Sequence, residues 1–236
     1  MTEFLNYLAS LLWQFTDKFY ANFINERRYE SIAKGIGITI EVSFLAIGLG
    51  VLIGFAIAAM KLSNNKWLQR VANSYVSILR GTPVVTQLLI FNFVIFGSIS
   101  LDKVFIAVIA FGVNSGAYVS EIMRAGILSI DHGQTEAGRS LGFNKREAMM
   151  YIIAPQAIKN IFPALGNEFI VLIKETAIVG YIGLVDLAKA GDFIRSRTLE
   201  AFFPLIATAV IYFTIVKILT KVLTSVEIKM RKADVR

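Results

Sequence analysis

Asn114, Tyr118 and Glu121 stand at i, i+4 and i+7 in an otherwise apolar stretch, so a helix there gathers an amide, a phenol and a carboxyl on one face. Such a face can hold a polar ligand, because a carboxylate accepts charge-assisted hydrogen bonds from an ammonium or guanidinium group. The alternative is interhelical hydrogen bonding, with Glu121 paired to Arg124 one turn on. Thr86 and Gln87 offer a second place of this kind, and Asn167, Glu168, Lys174 and Glu175 a third. In that third group Asn167 and Lys174 share one helical face, and Glu168 and Glu175 the adjacent one. Lys174 and Glu175 are also consistent with a snorkelling pair at a membrane edge, as is Glu41 with an interfacial position. Hydrolytic machinery is not expected. His132 is the only histidine, and neither a Gly-x-x-x-x-Gly-Lys-Ser/Thr phosphate loop nor a His-Glu-x-x-His metal pattern occurs. Without cysteine there are no disulfides or thiolate metal sites.

A different chemistry is expected of Gly133-Gln134-Thr135-Glu136-Ala137-Gly138-Arg139-Ser140-Leu141-Gly142-Phe143. Glu136 and Arg139 lie one turn apart, Leu141 and Phe143 offer apolar knobs, and Gly142 can end a helix. A turn between membrane spans needs only a few polar residues, so a structured amphipathic segment here points to a soluble partner that grips it.

The elements that must position these groups are membrane helices. Of the residues, 56% are hydrophobic and 17% charged, too apolar for an ordinary soluble domain. Uncharged runs cover 42–60, 84–101, 104–120 and 201–216, each near the length that crosses a hydrocarbon core of roughly 30 Å. A fifth run, about 160–184, is interrupted by Glu168, Lys174 and Glu175, and charges inside a span face a bundle interior or an aqueous path. The runs do not alternate apolar with polar residues, which excludes a barrel. The expectation is an all-α polytopic membrane protein with about five transmembrane helices.

Orientation follows from the basic residues. Lys61, Lys66, Arg70 and Arg80 fall in the first loop, Arg124, Arg139, Lys145, Arg146 and Lys159 in the third, and Lys229, Arg231, Lys232 and Arg236 in the tail, which places all three inside. The second loop offers only Asp102 and Lys103, and the fourth balances its charges, so both read as external. The N-terminus is then outside and the C-terminus cytoplasmic. The net charge of +7 serves inner-surface anchoring to membrane lipid, and no nucleic-acid partner is expected. Ahead of the spans, Phe4, Leu5, Leu8, Leu11, Leu12, Phe15 and Phe19 recur at helical spacing, which predicts an interfacial or periplasmic amphipathic helix. The first basic residue is Lys18, so no cleavable signal peptide is expected. Gly50 with Gly54, and Gly112 with Gly116, mark faces where helices can approach closely. Pro83 suits the first turn of a span and leaves Arg80 near the inner headgroups.

Three stretches carry a family resemblance: Arg80-Gly81-Thr82-Pro83 with Gln87; Ala117-Tyr118-Val119-Ser120-Glu121-Ile122 continuing to Arg124-Ala125-Gly126-Ile127; and Gly133 to Gly138 with Gly142, then Pro155-Gln156-Ala157, Pro163, Asn167 and Lys174-Glu175-Thr176. Across about residues 31–225 the chain resembles the membrane permease subunit of ATP-binding-cassette (ABC) importers for polar amino acids, the histidine, arginine and glutamine uptake type. The resemblance implies the ABC type I importer permease fold in a bacterial inner membrane. It divides the chain into an N-terminal segment 1–30, a permease domain 31–225 and a basic cytoplasmic tail 226–236. A coupling helix at about 132–144 would dock in a groove of the ATPase through Gly133, Glu136, Ala137, Gly138, Arg139, Leu141, Gly142 and Phe143. Partners implied are two ATPase subunits, a second permease chain, identical or similar, and an external solute-binding protein. No cofactor is expected on this chain, ATP and Mg belonging to the ATPase. The family pattern Glu-Ala-Ala has Gly138 at its third position here, and Ala154 stands before Pro155 where Leu is frequent.

The chain is thus expected to be no enzyme itself, but to form the translocation path for a polar amino acid, basic ones included. Gln87, Asn114, Tyr118 and Glu121 would line that path. An ATPase-independent secondary transporter or channel is the alternative, though no repeated half is evident. A purely structural membrane subunit would need only the glycine pairs.

Overall fold

The computed structural model describes the backbone of residues 1–232 and the side chains of residues 1, 10 and 12–230. The described residues are helical or in short connections, with no strand. In order they form α1 (Thr2–Phe19), α2 (Tyr29–Leu62), α3 (Lys66–Gly81), α4 (Val84–Leu89), α5 (Lys103–Leu128), α6 (His132–Ser140), α7 (Lys145–Ala148), α8 (Ala154–Glu175), α9 (Leu187–Thr198) and α10 (Phe202–Lys232). A π-helical turn extends α1 over Tyr20–Ile24, another extends α4 over Ile90–Ile95, and a third, Met149–Ile153, joins α7 to α8.

By length and composition α2, α5 and α10 can each cross a membrane, and α3 with the extended α4 forms a fourth candidate bent by 104°. The expected span 84–101 is therefore different in detail: its helix ends at Ile95, and the segment before it, where the basic residues predict a loop, is the helix α3. Lys66, Arg70 and Arg80 interrupt the apolar pattern of α3, so a search for uncharged runs passes over it. The interrupted run 160–184 is α8 only as far as Glu175, with Pro155 in the first turn of that helix, and continues as a 3-10 helix over Thr176–Ile182; its charges keep α8 out of the helices apolar enough to cross.

α2 and α5 form the tightest pair, and the two glycine pairs are the reason. A Cβ on Gly54 would lie 2.5 Å from Val119 Cγ1; on Gly112, 2.7 Å from Leu49 Cδ2; on Gly116, 2.7 Å from Ile53 Cγ2. With no Cβ at these positions the backbones close up, and dispersion contacts stand in for a hydrophobic driving force that lipid does not supply. Val42, Ala46, Leu88, Ala107, Ala110, Phe111, Leu172, Val179 and Ile182 form the core beside this seam.

A second cluster, Phe23, Ile32, Leu187, Ile194 and Phe203, binds α9 to the start of α2 and α10. Asp186 pins α9. Its side chain accepts hydrogen bonds from the N–H groups of Ala188 and Lys189 and from the Tyr212 hydroxyl at 3.0 Å, while Leu187 N–H donates to Thr39 Oγ1. Burial pushes the Asp186 carboxyl above its usual pKa, and those donors pull the other way. α1 joins the same end through Lys18–Glu200 at 3.2 Å and Phe15 against Phe203 at 4.9 Å. Of the expected tail, 226–232 are the closing turns of α10, and 233–236 lie outside the described residues.

Candidate functional site

The break between α3 and α4 brings two buried amides, Gln87 and Asn114, onto open backbone carbonyls. Gly81-Thr82-Pro83 ends α3 because proline brings no N–H and holds Pro83 itself extended, at φ −62° and ψ 135°. Carbonyls at the end of α3 then lose their helical donors, and side chains replace them. Gln87 Nε2 donates to Leu79 O at 2.7 Å, Thr82 O at 3.1 Å and Thr82 Oγ1 at 2.7 Å. Asn114, near the middle of α5, donates through Nδ2 to Gln87 Oε1 at 2.9 Å and to Leu79 O at 3.3 Å. Both amides are buried. One turn earlier in α3, the Tyr75 hydroxyl donates to Val113 O at 2.6 Å.

Charged groups stand on the open side of this break. The Arg80 guanidinium lies 4.9 Å over the Tyr118 ring, and Ser115 Oγ donates to Glu168 Oε1 of α8 at 2.9 Å. Arg80, Gly81, Thr82 and Pro83 are all exposed on the single chain. Arg80, expected near the inner headgroups, makes its contact with Tyr118 of α5.

The face Asn114, Tyr118 and Glu121 is thereby divided among three partners. Asn114 meets Gln87, Tyr118 meets Arg80, and Glu121 turns to a separate cluster. Lys61, at the end of α2, donates to Glu121 Oε1, and Arg124 donates to Oε2 through Nη2 at 2.9 Å and Nε at 3.2 Å. Both oxygens of this carboxylate are thus paired. Sequence reasoning missed the ring contact of Arg80, the Ser115–Glu168 bond, and Lys61 as a partner. The one available signal was the Gly-Thr-Pro breaker ahead of an apolar run.

Of the expected coupling segment, 132–140 is α6, while 141–143 form its terminating turn. Asp131 caps the start, accepting from Gly133 N–H at 2.7 Å. At the other end Gly142 takes φ +92°, and Phe143 N–H returns to Gly138 O at 3.2 Å, closing the helix. Asn144 and Glu147 then form a reciprocal capping box for α7. Gly138 is the buried residue of α6, and a Cβ there would lie 2.5 Å from Ile152 Cδ1. Gly133, Glu136, Ala137, Arg139 and Leu141 are exposed, Leu141 by 79%. Phe143 leans on Tyr151 at 6.2 Å between ring centres. Among the described residues no three His, Cys, Asp or Glu side chains gather as a metal site.

Comparison with known proteins shows the family and the fold. The family model described as "Binding-protein-dependent transport system inner membrane component" matches residues 47–232. The chain is 44% identical over 201 residues to a putative glutamine transport system permease protein GlnP of Rickettsia typhi, covering 84% of this chain and 92% of the relative. It is 39% identical over 208 residues to the arginine transport system permease protein ArtQ of Bacillus subtilis, covering 86% and 94%. Among solved structures, that of an amino acid ABC transporter with histidines superposes with a TM-score of 0.82 at 45% identity, covering 88% of this chain and 98% of the other. The MetNI methionine ABC transporter, at 18% identity and a TM-score of 0.71 over 84% of this chain and 95% of the other, shares the fold. The chain belongs to the family of binding-protein-dependent transport system inner membrane components.

Proposed function

We propose that this inner-membrane permease is the membrane subunit of an ATP-driven ABC importer and forms the path for a polar amino acid, basic ones included. The observation that carries the reading is the exposed break at Arg80–Pro83. Non-helical backbone at membrane depth is tolerated only where protein buries it or water fills a cavity beside it. A break that is open on one chain therefore faces a second permease, identical or similar, with an aqueous path between them. Relatives named for glutamine and arginine transport, and the amino acid ABC transporter structure, support the substrate class.

Gln87, Asn114, Tyr118 and Glu121 border the path, with Glu168 as a further carboxylate beside the break. Gln87 and Asn114 hold its wall. Glu121 meets a cationic substrate by exchanging Lys61 or Arg124 for it, a swap of one charge-assisted bond for another. The exposed residues of α6 dock into each of two ATPase subunits, which carry ATP and Mg. A solute-binding protein delivers the amino acid from outside, where the N-terminus also lies, and the C-terminus is cytoplasmic. Closure of the ATPases reaches the spans as rigid-body rocking through α6.

The test is ATP-driven uptake into proteoliposomes holding the whole complex, with wild type compared to Glu121→Gln. The expected result is weaker apparent affinity for a cationic amino acid with less change for a neutral one. Unchanged affinity for the cation would remove Glu121 from the path, and uptake indifferent to ATP would favour a secondary transporter.

A further inference from the structure

Between the C-terminal ends of α2 and α5 and the first half of α8 lies a groove of about 490 Å³. Its lining is wholly apolar, from Phe55 and Leu62 of α2 and Ile127 of α5 to Met149, Ile158 and Leu165 along the α8 side. Phe55 and Ile158 are exposed, so the groove opens at the surface of the chain. With no polar group in the lining, water finds no hydrogen-bond partner there, whereas a hydrocarbon chain does find a match. Along α8 the groove extends from Ala154 to Leu165, which is roughly 16 Å at the helical rise. A hydrocarbon core is roughly 30 Å thick, so the groove has the depth of one leaflet.

Its position separates it from the α3–α4 break. Ile127 follows Tyr118 by nine residues at about 100° each, which puts the two on opposite sides of α5. The second permease and the aqueous path, placed at the break above, therefore lie away from the groove. At the other end of its length the groove has a cationic rim. Leu62 is followed by Lys66 and Trp67, and Met149 is preceded by Lys145 and Arg146 one turn earlier, all four exposed. Trp67 and the exposed Tyr151 are residue types that collect at headgroup level. The acids close by in the chain are engaged: Glu147 accepts from Asn144 N–H at 2.7 Å in the capping box, and Glu121 is held by Lys61 and Arg124.

We infer that this groove binds an anionic phospholipid of the inner leaflet, one acyl chain lying along α8 and the phosphate held at the rim by Lys66, Lys145 and Arg146. The inference rests on the orientation given above, in which this end of the chain is cytoplasmic. Basic pockets between membrane helices on that side suit anionic headgroups, and a single apolar channel one leaflet deep suits the chain beneath. The walls of the groove, α5 and α8, are also the helices on either side of α6, joined near it by Asn160 donating to Ser129 Oγ at 2.9 Å. An acyl chain packed between them braces the connection through which α6 is pushed.

The test compares phosphatidylglycerol carrying a photoreactive diazirine on one acyl chain with its phosphatidylcholine twin, in vesicles that hold the complete complex. Labelled residues of the permease chain are read by mass spectrometry. The glycerol lipid should label the groove about fivefold or more above the choline lipid, the scale of one basic residue near a headgroup, while the exposed α10 takes both alike. Ala59→Trp fills the groove from an exposed position and should remove that excess. Lys145→Gln with Arg146→Gln leaves the groove open and should bring the two lipids level. A groove labelled no more than α10, or an excess that survives both variants, would overturn the site. Cross-links from the groove to a second permease chain in place of lipid would overturn it in favour of a subunit contact. The chain has no cysteine, so Asn64→Cys supplies a single thiol at the rim. Its reaction with an impermeant maleimide added to whole cells would overturn the orientation and the inner-leaflet assignment with it. Labelling needs no transport, so a complex that fails to import under ATP counts against the proposed function and not against the groove.

Discussion

The α3–α4 break and the helix α6 are both polar and punctuated by glycine, yet they dispose of their polar groups in opposite ways. At the break, Gln87 and Asn114 turn inward and satisfy carbonyls that the bend has freed. On α6, Glu136, Arg139 and Leu141 turn outward, and only Gly138 is pressed into the protein. The difference follows from solvent. A lipid-facing or buried backbone cannot leave an acceptor open, so side chains nearby are conscripted to close it. A helix in water has no such need, and its side chains stay available to a partner. A disruption at the break should therefore show as lost stability, and one on α6 as lost association.

The largest effect on stability is expected from Gln87→Leu. It removes the donor to Leu79 O and Thr82 O and leaves Asn114 without Gln87 Oε1. Asn114 still reaches Leu79 O and Thr82 is exposed, so at about 1–3 kcal/mol per unsatisfied buried group the loss should be about 2–3 kcal/mol. Denaturation of the purified protein in detergent measures it. Asn114→Leu alone should cost less, and the double variant less than the sum, because the two amides share a bond. Additive losses would mean that the amides do not act as one network.

Next comes Glu121→Gln, which keeps the shape and removes the charge between Lys61 and Arg124. These side chains are only partly buried, so solvent screens the pair, and the loss should be about 1–2 kcal/mol. A larger loss than that of Gln87→Leu would reverse the ranking of amide bracing over ionic clasp.

How far the sequence foretold these regions depends on the distance over which each feature is decided. The helical class and the α2–α5 seam were legible because uncharged runs and paired glycines at four-residue spacing are local patterns, and both glycine pairs do meet the opposite helix. α3 was not, since Lys66, Arg70 and Arg80 make a helix read as a loop. The partners of Glu121 illustrate the same limit: Arg124 lies one turn away and was foreseen, whereas Lys61 comes from another helix and depends on how α2 packs on α5. The contact of Arg80 with Tyr118 was likewise hidden, since it depends on how the end of α3, bent at Pro83, meets α5.

Gly138→Ala should move stability by less than about 1 kcal/mol. Alanine gains roughly 1 kcal/mol over glycine inside a helix. Against that, its Cβ would come within 2.5 Å of Ile152 Cδ1, the far end of a flexible side chain that can turn away. The two nearly cancel. A loss of several kcal/mol would mean that α6 is clamped to α7 and the turn after it more rigidly than this one contact implies.

Glu136→Lys is expected to change stability least and association most. Its side chain is 71% exposed, and its contact with His132, also exposed, is a surface pair of little energetic weight, so denaturation should shift by under about 0.5 kcal/mol. Neighbouring Arg139 then leaves the outer face of α6 with two cations and no acid between them. Reversing one charge on a docking helix brings like charges together wherever the partner groove was matched to the acid, a penalty of several kcal/mol. Co-purification with the ATPase subunit should accordingly be lost, while the isolated membrane chain unfolds as before. An ATPase retained at wild-type stoichiometry would place the soluble contact elsewhere than on this face. Loss of both association and stability would break the contrast itself, since α6 would then be holding its own chain together as the break does.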